Sequence, residues 1–367
     1  MMKNAASVKK HRDGGMLTID ADAHVIETME TWRFLDESES AYMPQIVTRT
    51  AGADPRNVVG VVKRNYWVVD QRLHDKEENL AFDVAEDSRE MRSIASRIAH
   101  MDQLDIDIQV LFPTLMLRPI ADRAAIEYAL CRSYNRWLAE IWRQGKGRLR
   151  WVAAPPILSL DNARKEMEFA KENGACGIFM RALENERPIS DPYFDPLYDI
   201  AGELDLAISV HLGNGSFIVH DFFGHDTTFS KFKLPTISAF HSLVMHGTPS
   251  RFPKVRWGII EASANWLPYV LQDLRQRFLR RGKKLPDDIL GANKIYVTCE
   301  VTDDLPYVIA AAGEDNLIIG TDYGHSDSST QIEALRLLRG SQKLNPKAVD
   351  KILSDNPARF YGIQTTK

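Results

Sequence analysis

Eight short apolar runs, separated by longer amphipathic stretches, restrict the fold of this chain more than any other feature. The runs span 16–19, 107–112, 151–154, 175–180, 206–210, 255–260, 294–298 and 316–320. They are rich in Val, Ile, Leu and Phe and are bounded by Gly, Pro, Asn or Asp. Near-continuous apolar runs of this kind mark strands buried on both faces, as in a parallel sheet. Between them, 124–144 places Ile126, Leu130, Tyr134, Trp137, Leu138 and Ile141 at three- and four-residue spacings, the period of a helix with one buried face. The stretch 161–173 opens on Asp161, a good N-cap type, and stops at Gly174. The stretches 193–204, 264–280, 303–312 and 331–339 repeat the theme. Eight strands alternating with helices predict an α/β chain folded as a (β/α)8 TIM barrel. A doubly wound sheet also alternates, but it usually carries a glycine-rich phosphate loop after its first strand. Here the first run is followed by Asp20-Ala21-Asp22-Ala23-His24, and no such loop appears.

Residues 1–15 end in Gly14-Gly15 and read as a flexible N-terminal arm, leaving 16–367 as a single domain. The segment from about 25 to 80 is long for a strand-to-helix connection. It contains the turn-like AGADPRN and the run NYWVVD, which could form a short strand. We read it as a lid-like insertion after strand one; a decorative or oligomer-forming excursion is the alternative. With 46 basic and 50 acidic side chains the net charge is −4. No broad basic field is available for a nucleic-acid backbone, so no nucleic-acid partner is expected. No apolar run approaches the ~18–20 residues of a membrane span, so no membrane partner is expected. The positively charged N-terminus has no apolar stretch behind it and does not read as a secretory signal. Cys131, Cys176 and Cys299 are odd in number, widely spaced and set in apolar contexts. They read as buried free thiols in a reducing, cytoplasmic compartment.

In such a barrel the chemistry sits at the C-terminal ends of the strands. Strand one delivers Asp20, Asp22 and His24 there, strand four Arg181, strand five His211, strand six Glu261, strand seven Glu300 and strand eight Asp322. Asp22 and His24 are two apart, so on extended backbone both can face the axis. Asp22, His24, His211 and Asp322 together offer two carboxylates and two imidazoles, a set that suits Zn, Mn, Fe or Co.

These residues lie in motifs that resemble the amidohydrolase superfamily, specifically the amidohydrolase-2 group. That group includes 2-amino-3-carboxymuconate semialdehyde decarboxylase and gamma-resorcylate decarboxylase. The matching segments are IDADAHVIE at 19–27, SVHLGNG at 209–215, RFPKVRWGIIEASANWLPYVL at 251–271 and IIGTDYGHSDSS at 318–329. ALCRSYNRWLAEI at 129–141 and DNPARFYGI at 355–363 add to the likeness. The resemblance implies that Asp22 and His24 are the first-strand metal ligands, His211 the fifth-strand ligand, and Asp322 a ligand and proton-transfer group. Binuclear members carry a bridging lysine on strand four. ACGIFMRA at 175–182 has none, so one divalent ion, Zn or Mn, is implied. Many decarboxylases of the group carry a histidine on strand six where this chain has Glu261. Relatives are commonly homodimers or homotetramers, and a small-molecule substrate is expected.

The favoured reaction is non-oxidative decarboxylation of a small aromatic or cyclic carboxylate, with Asp322 as proton donor. The alternative is hydrolysis of a lactone, amide or related bond by an activated water, with Asp322 and Glu261 as bases. A barrel that has lost activity and serves as a scaffold is the third reading. Arg181, Arg118 and His325 are the candidate substrate-binding groups. Glu27 and Glu300 are candidates to support the ligands from behind. His220, His225, His241 and His246 either supply a substitute for the missing strand-six histidine or are ordinary loop and helix histidines. Trp32, Trp67, Phe222 and Phe223 either line an aromatic-friendly pocket or simply pack.

Overall fold

A computed structural model describes residues 16–51, 62–77, 79–223 and 229–364. The proposed arm at 1–15 and His225 lie outside the described residues. The apolar runs form β1 (Ile19–His24), β2 (Ile108–Phe112), β3 (Leu149–Ala153), β4 (Ala175–Arg181), β5 (Ala207–His211), β6 (Trp257–Ile260), β7 (Ile295–Cys299) and β8 (Leu317–Ile319). They pair in chain order and every pair is parallel. β8 returns to β1 through Ala23 opposite Tyr323. There the His24 N–H donates to the Tyr323 carbonyl at 2.9 Å and the Asp322 N–H to the Asp22 carbonyl at 3.0 Å. Gly320 permits this approach, because a Cβ on it would stand 2.4 Å from the Cβ of Asp22. The architecture is the (β/α)8 barrel that the alternation predicts.

Each strand is followed by a helix: α1 (Ile94–Gln103), α2 (Ala124–Gln144), α3 (Leu160–Glu172), α4 (Asp195–Glu203), α5 (Leu234–His246), α6 (Leu267–Arg280), α7 (Leu305–Ala312) and α8 (Ala334–Arg339). The apolar face of α2 is the one its spacing predicts. Leu130 and Leu138 are fully buried, and each such side chain contributes roughly 1.5–3 kcal/mol.

β1 differs from its expected position. It begins at Ile19 and runs through the polar segment to His24, with every residue buried. Apolarity alone makes the strand look finished at Ile19, yet Asp20 has barrel partners. It accepts from the Thr321 N–H at 2.9 Å, the Thr321 hydroxyl at 2.6 Å and the Gln109 amide at 2.9 Å. A buried carboxylate so bonded can continue a strand, because its charge and its lone pairs are met. The N-cap position of α3 is Ser159, whose side chain makes no capping bond, and Asp161 falls in the first turn instead.

The long connection after β1 holds two short 3-10 helices, Met29–Trp32 and Glu37–Tyr42, then an antiparallel sheet of Gln45–Ala51, Val62–Val69 and Arg72–Asp75. NYWVV of the run NYWVVD falls in its middle strand, with Asp70 in the turn that follows, while most of AGADPRN lies outside the described residues. Trp32 and Trp67 pack edge to face at 6.2 Å and are both buried. Leu80 bridges to His325, and the Ala81 N–H donates to the Gly324 carbonyl at 2.9 Å. The connection therefore comes back down on the turn that follows β8. Cys131, Cys176 and Cys299 are buried and unpaired. Among the described residues no helix is long and apolar enough to cross a membrane.

Candidate metal centre

Four strand ends converge on one buried cluster. Asp22, His24, His211 and Glu261 can each place a ligand atom within 4.8 Å of the others, and so can His24, Glu261, Asp322 and His325. The two groups share His24 and Glu261. The expected ligand set of Asp22, His24, His211 and Asp322 spans both. Glu261 and His325, expected as a base and a substrate group, sit inside the same cluster.

The imidazoles are held in a manner suited to metal ligation. A carbonyl can only accept, so the contact of His24 Nδ1 with the Pro113 carbonyl at 3.0 Å fixes the proton on Nδ1. His211 Nδ1 likewise donates to the Leu212 carbonyl at 2.9 Å. Both rings thus present Nε2 to the cluster, the arrangement common to metal-bound histidines. His211 Nε2 stands 3.1 Å from Asp22 Oδ1. His24 Nε2 stands 3.5 Å from Asp22 Oδ1, 3.4 Å from Asp322 Oδ1 and 3.9 Å from Glu261 Oε2.

Three of these atoms, His24 Nε2, Glu261 Oε2 and Asp322 Oδ1, are buried with no hydrogen-bond partner. Burial and neighbouring histidines hold His24 well below the usual imidazole range, so its Nε2 offers a lone pair and no proton. Lone pairs facing lone pairs in a dry site are costly. A divalent cation satisfies all of them at once, so the residues fit one. The mixed nitrogen and oxygen donors suit Zn, Mn, Fe or Co.

The carboxylates are tuned by the same burial. Desolvation and the adjoining acids push Glu261 well above the ordinary carboxylate range. Burial lifts Asp322 to about 6, against the lowering effect of His325. His325 Nδ1 lies 2.8 Å from Asp322 Oδ1, and the Thr330 hydroxyl donates to Asp322 Oδ2 at 2.6 Å. The Ser329 hydroxyl donates to Glu261 Oε1 at 2.9 Å. Glu261 and Asp322 both have left-handed backbone, with φ of 66° and 52°. Strain of this kind at non-glycine residues is held in place by the surrounding structure and concentrates at functional sites.

Several expected groups are engaged elsewhere. Arg181 pairs with Glu184 and donates Nη1 to the carbonyls of Met116 at 2.9 Å and Arg118 at 2.7 Å. Its guanidinium braces the chain after β2 and is not offered to a ligand. Arg118 donates to the Asp75 carbonyl at 3.3 Å, tying that chain to the insertion. Glu27 does not touch a metal-facing histidine. It accepts from the N–H groups of Thr114 at 3.0 Å and Leu115 at 2.9 Å, and so fixes the turn whose Pro113 carbonyl orients His24. Glu300 faces Lys233 at 3.7 Å and accepts from Thr302 at 3.2 Å. His241 pairs with Asp273 at 3.2 Å, a helix-to-helix contact. Phe222 is exposed and meets Phe223 edge to face at 4.9 Å.

The family model of the amidohydrolases matches residues 19–363, and the chain belongs to that family as a metal-dependent enzyme. It is similar in fold to an amidohydrolase from Mycobacterium avium subsp. paratuberculosis K-10, at 18% identity, TM-score 0.73, 95% of this chain and 98% of that one. It is also similar to 5-carboxyvanillate decarboxylase from Novosphingobium aromaticivorans DSM 12444, solved with manganese and 4-hydroxy-3-methoxy-5-nitrobenzoic acid. That match has 18% identity, TM-score 0.67, and 98% and 100% coverage. A 2,6-dihydroxybenzoate decarboxylase solved with 2,6-dihydroxybenzoate matches at 18% identity, TM-score 0.59, and 77% and 93% coverage. At these identities the likeness concerns the fold.

Proposed function

We propose that this enzyme removes CO2 from a small aromatic or cyclic carboxylate without oxidation, with Asp322 as the proton donor. The observation that carries the reading is the direction of the hydrogen bonds behind Asp322. The Thr114 hydroxyl gives its one proton to the Val25 carbonyl at 2.9 Å. Its oxygen, 2.9 Å from His325 Nε2, therefore accepts from that nitrogen. With Nε2 already protonated, any further proton on His325 lies at Nδ1, against Asp322. At 2.8 Å the pair is within reach of one common proton. Burial lifts Asp322 to about 6, while Asp322 holds His325 above its ordinary value against the lowering effect of burial. A donor with a titration range near the working pH is the kind that general acid catalysis requires.

In this reading a divalent cation held by Asp22, His24, His211 and Asp322, with Glu261 beside them, supplies positive charge that binds and orients substrate oxygens. Asp322 gives its proton to the carbon that bears the carboxylate. The bond from that carbon to the carboxylate then breaks, its electron pair returns to the ring, and CO2 leaves. One proton taken up from solvent by the Asp322–His325 pair then resets Asp322 as donor. Glu261, pushed upward by burial, brings less negative charge to a carboxylate substrate than an ordinary glutamate does. The fold neighbours named as decarboxylases of aromatic acids support the choice of substrate class.

The test is a panel of hydroxybenzoates and lactones with the metal-loaded enzyme in D2O. CO2 release with deuterium at the vacated carbon is expected. Acid release from a lactone, with no CO2 from any carboxylate, overturns the reading in favour of hydrolysis.

A further inference from the structure

A fully buried arginine stands behind the cluster. Arg97 lies on α1 with no exposed surface, and its guanidinium reaches the end of β1, the β2 strand and the chain after β8 at once. Nη1 donates to the carbonyl of His24 at 3.1 Å and to that of Ser88 at 3.3 Å. Nε donates to Gln109 Oε1 at 2.7 Å, and the Gln109 amide passes on to Asp20 at 2.9 Å. Asp20 in turn accepts from Thr321, next to Asp322. The guanidinium carbon sits 3.5 Å from the centre of the Tyr323 ring, on the other side of Asp322. His100 Nδ1, 2.8 Å from the Tyr323 hydroxyl, holds the far end of that ring.

Keeping a charge here is expensive. Replacing buried ionic groups by apolar ones of similar volume is often neutral or stabilising. Burial indeed lowers Arg97 to about 10, against the raising effects of Tyr323 and Asp20. What an apolar side chain cannot supply is the geometry. The planar fork addresses β1 through His24, β2 through Gln109 and the chain after β8 through Tyr323.

We infer that Arg97 is a positioning residue of the metal centre: its guanidinium sets the separation between the β1 end that carries Asp22 and His24 and the β8 end that carries Asp322. The His24 peptide is gripped on both sides, with its N–H on the Tyr323 carbonyl and its carbonyl on Arg97. The His24 ring is gripped by Pro113. Arg97 holds the one element of that set that the barrel backbone does not. The inference rests on the reading of the cluster as a metal centre.

The experiment uses the full chain, stripped and reloaded with Co2+, with affinity measured by chelator competition and geometry by the visible Co2+ spectrum. Arg97→Met keeps the volume and removes the fork; Arg97→Lys keeps the charge and removes the fork. Both are expected to lose Co2+ affinity by about 10- to 100-fold, the range seen for groups that orient ligands. Both are also expected to change the Co2+ absorption bands, with Arg97→Lys the milder. Lower thermal stability with wild-type Co2+ affinity and an unchanged spectrum reduces Arg97 to a structural residue and overturns the inference. If Arg97→Met does not fold, Arg97→Lys decides by the same two readouts. A wild type that binds no Co2+ overturns the metal-centre reading instead, and so separates the two failures.

Discussion

Replacing Thr114 by valine should move the alkaline limb of the activity profile to lower pH. Thr114 Oγ1 accepts from His325 Nε2 and donates to the Val25 carbonyl. Valine keeps the shape and removes the acceptor. The protonated imidazole must then bury an N–H with no partner, at about 1–3 kcal/mol. The neutral ring avoids this, because it can keep its proton on Nδ1 against Asp322 and leave Nε2 bare. The penalty falls on the charged form alone. At about 1.4 kcal/mol per pKa unit, it lowers His325 by roughly one to two units. Burial and Asp322 now act on His325 in opposite directions, with the net result above the ordinary value. Loss of Thr114 as acceptor sends it back down, so the pair gives up its shared proton at a lower pH. The assay is the pH dependence of kcat with metal content and Tm followed in parallel. An alkaline limb that stays where the wild type has it, at equal metal content, refutes the shared-proton argument.

Other substitutions test neighbouring parts of the site. His211→Ala should abolish metal retention, and unchanged metal stoichiometry would remove His211 from the ligand set. Asp322→Asn should keep some metal and lose turnover, whereas a fully active variant would end its role as proton donor. Chelation should lower the Tm and re-addition of Mn or Zn should restore it, since a ligand bound by the native state alone stabilises that state. Burial lifts Glu27 from 4.5 to about 7. Its contribution to stability is therefore full below about 4.5, falls as the pH rises, and is lost above about 7. The span of 2.5 units is worth roughly 3 kcal/mol. Glu27→Gln should gain stability relative to wild type by about that amount on going from acid to pH 8, as read from denaturant melts. A constant difference across that range would show that Glu27 is not held neutral.

The barrel was legible because seven of its strands are almost unbroken apolar runs and six of its helices keep a readable period, signals that depend on local sequence alone; β1, with its buried acids, and the helices Ile94–Gln103 and Leu234–His246 were not. The strand-end positions of Asp22, His24, His211, Glu261 and Asp322 followed from counting, and the structure does bring them together. What counting could not reach was who faces whom. Arg181 looked like a cation at the mouth, but its partner Glu184 is three residues on, across a turn that the sequence does not announce. Glu27 looked like a support for a ligating histidine, and it supports His24 only at one remove, through a turn that follows β2. Partners that arrive from distant strands leave no periodic trace.

Arg97 did leave one. Ile94, Arg97 and Met101 share a face of α1, and a charged residue between two apolar ones on a helix face is a local contradiction. Surface arginines are common enough that such a contradiction passes for tolerance of a long side chain. The structure turns it into a constraint, because the guanidinium is fully buried and joins the β1 end and the chain after β8, both of which carry the cluster, through Gln109 on β2. The cost of that burial falls on stability, and the benefit is a fixed distance between two ligand-bearing strands at the one seam where β8 closes on β1. At the other seams of the sheet the strands align each other through three to five paired residues, with a register shift at β1–β2 and at β3–β4. The β8–β1 seam has a single bridge, at Ala23 and Tyr323. It is also the seam on which Asp22, His24 and Asp322 must keep their spacing. A weakly laddered seam that bears the ligands needs side chains to hold it, and Asp20, Gln109 and Arg97 are the side chains placed to do so.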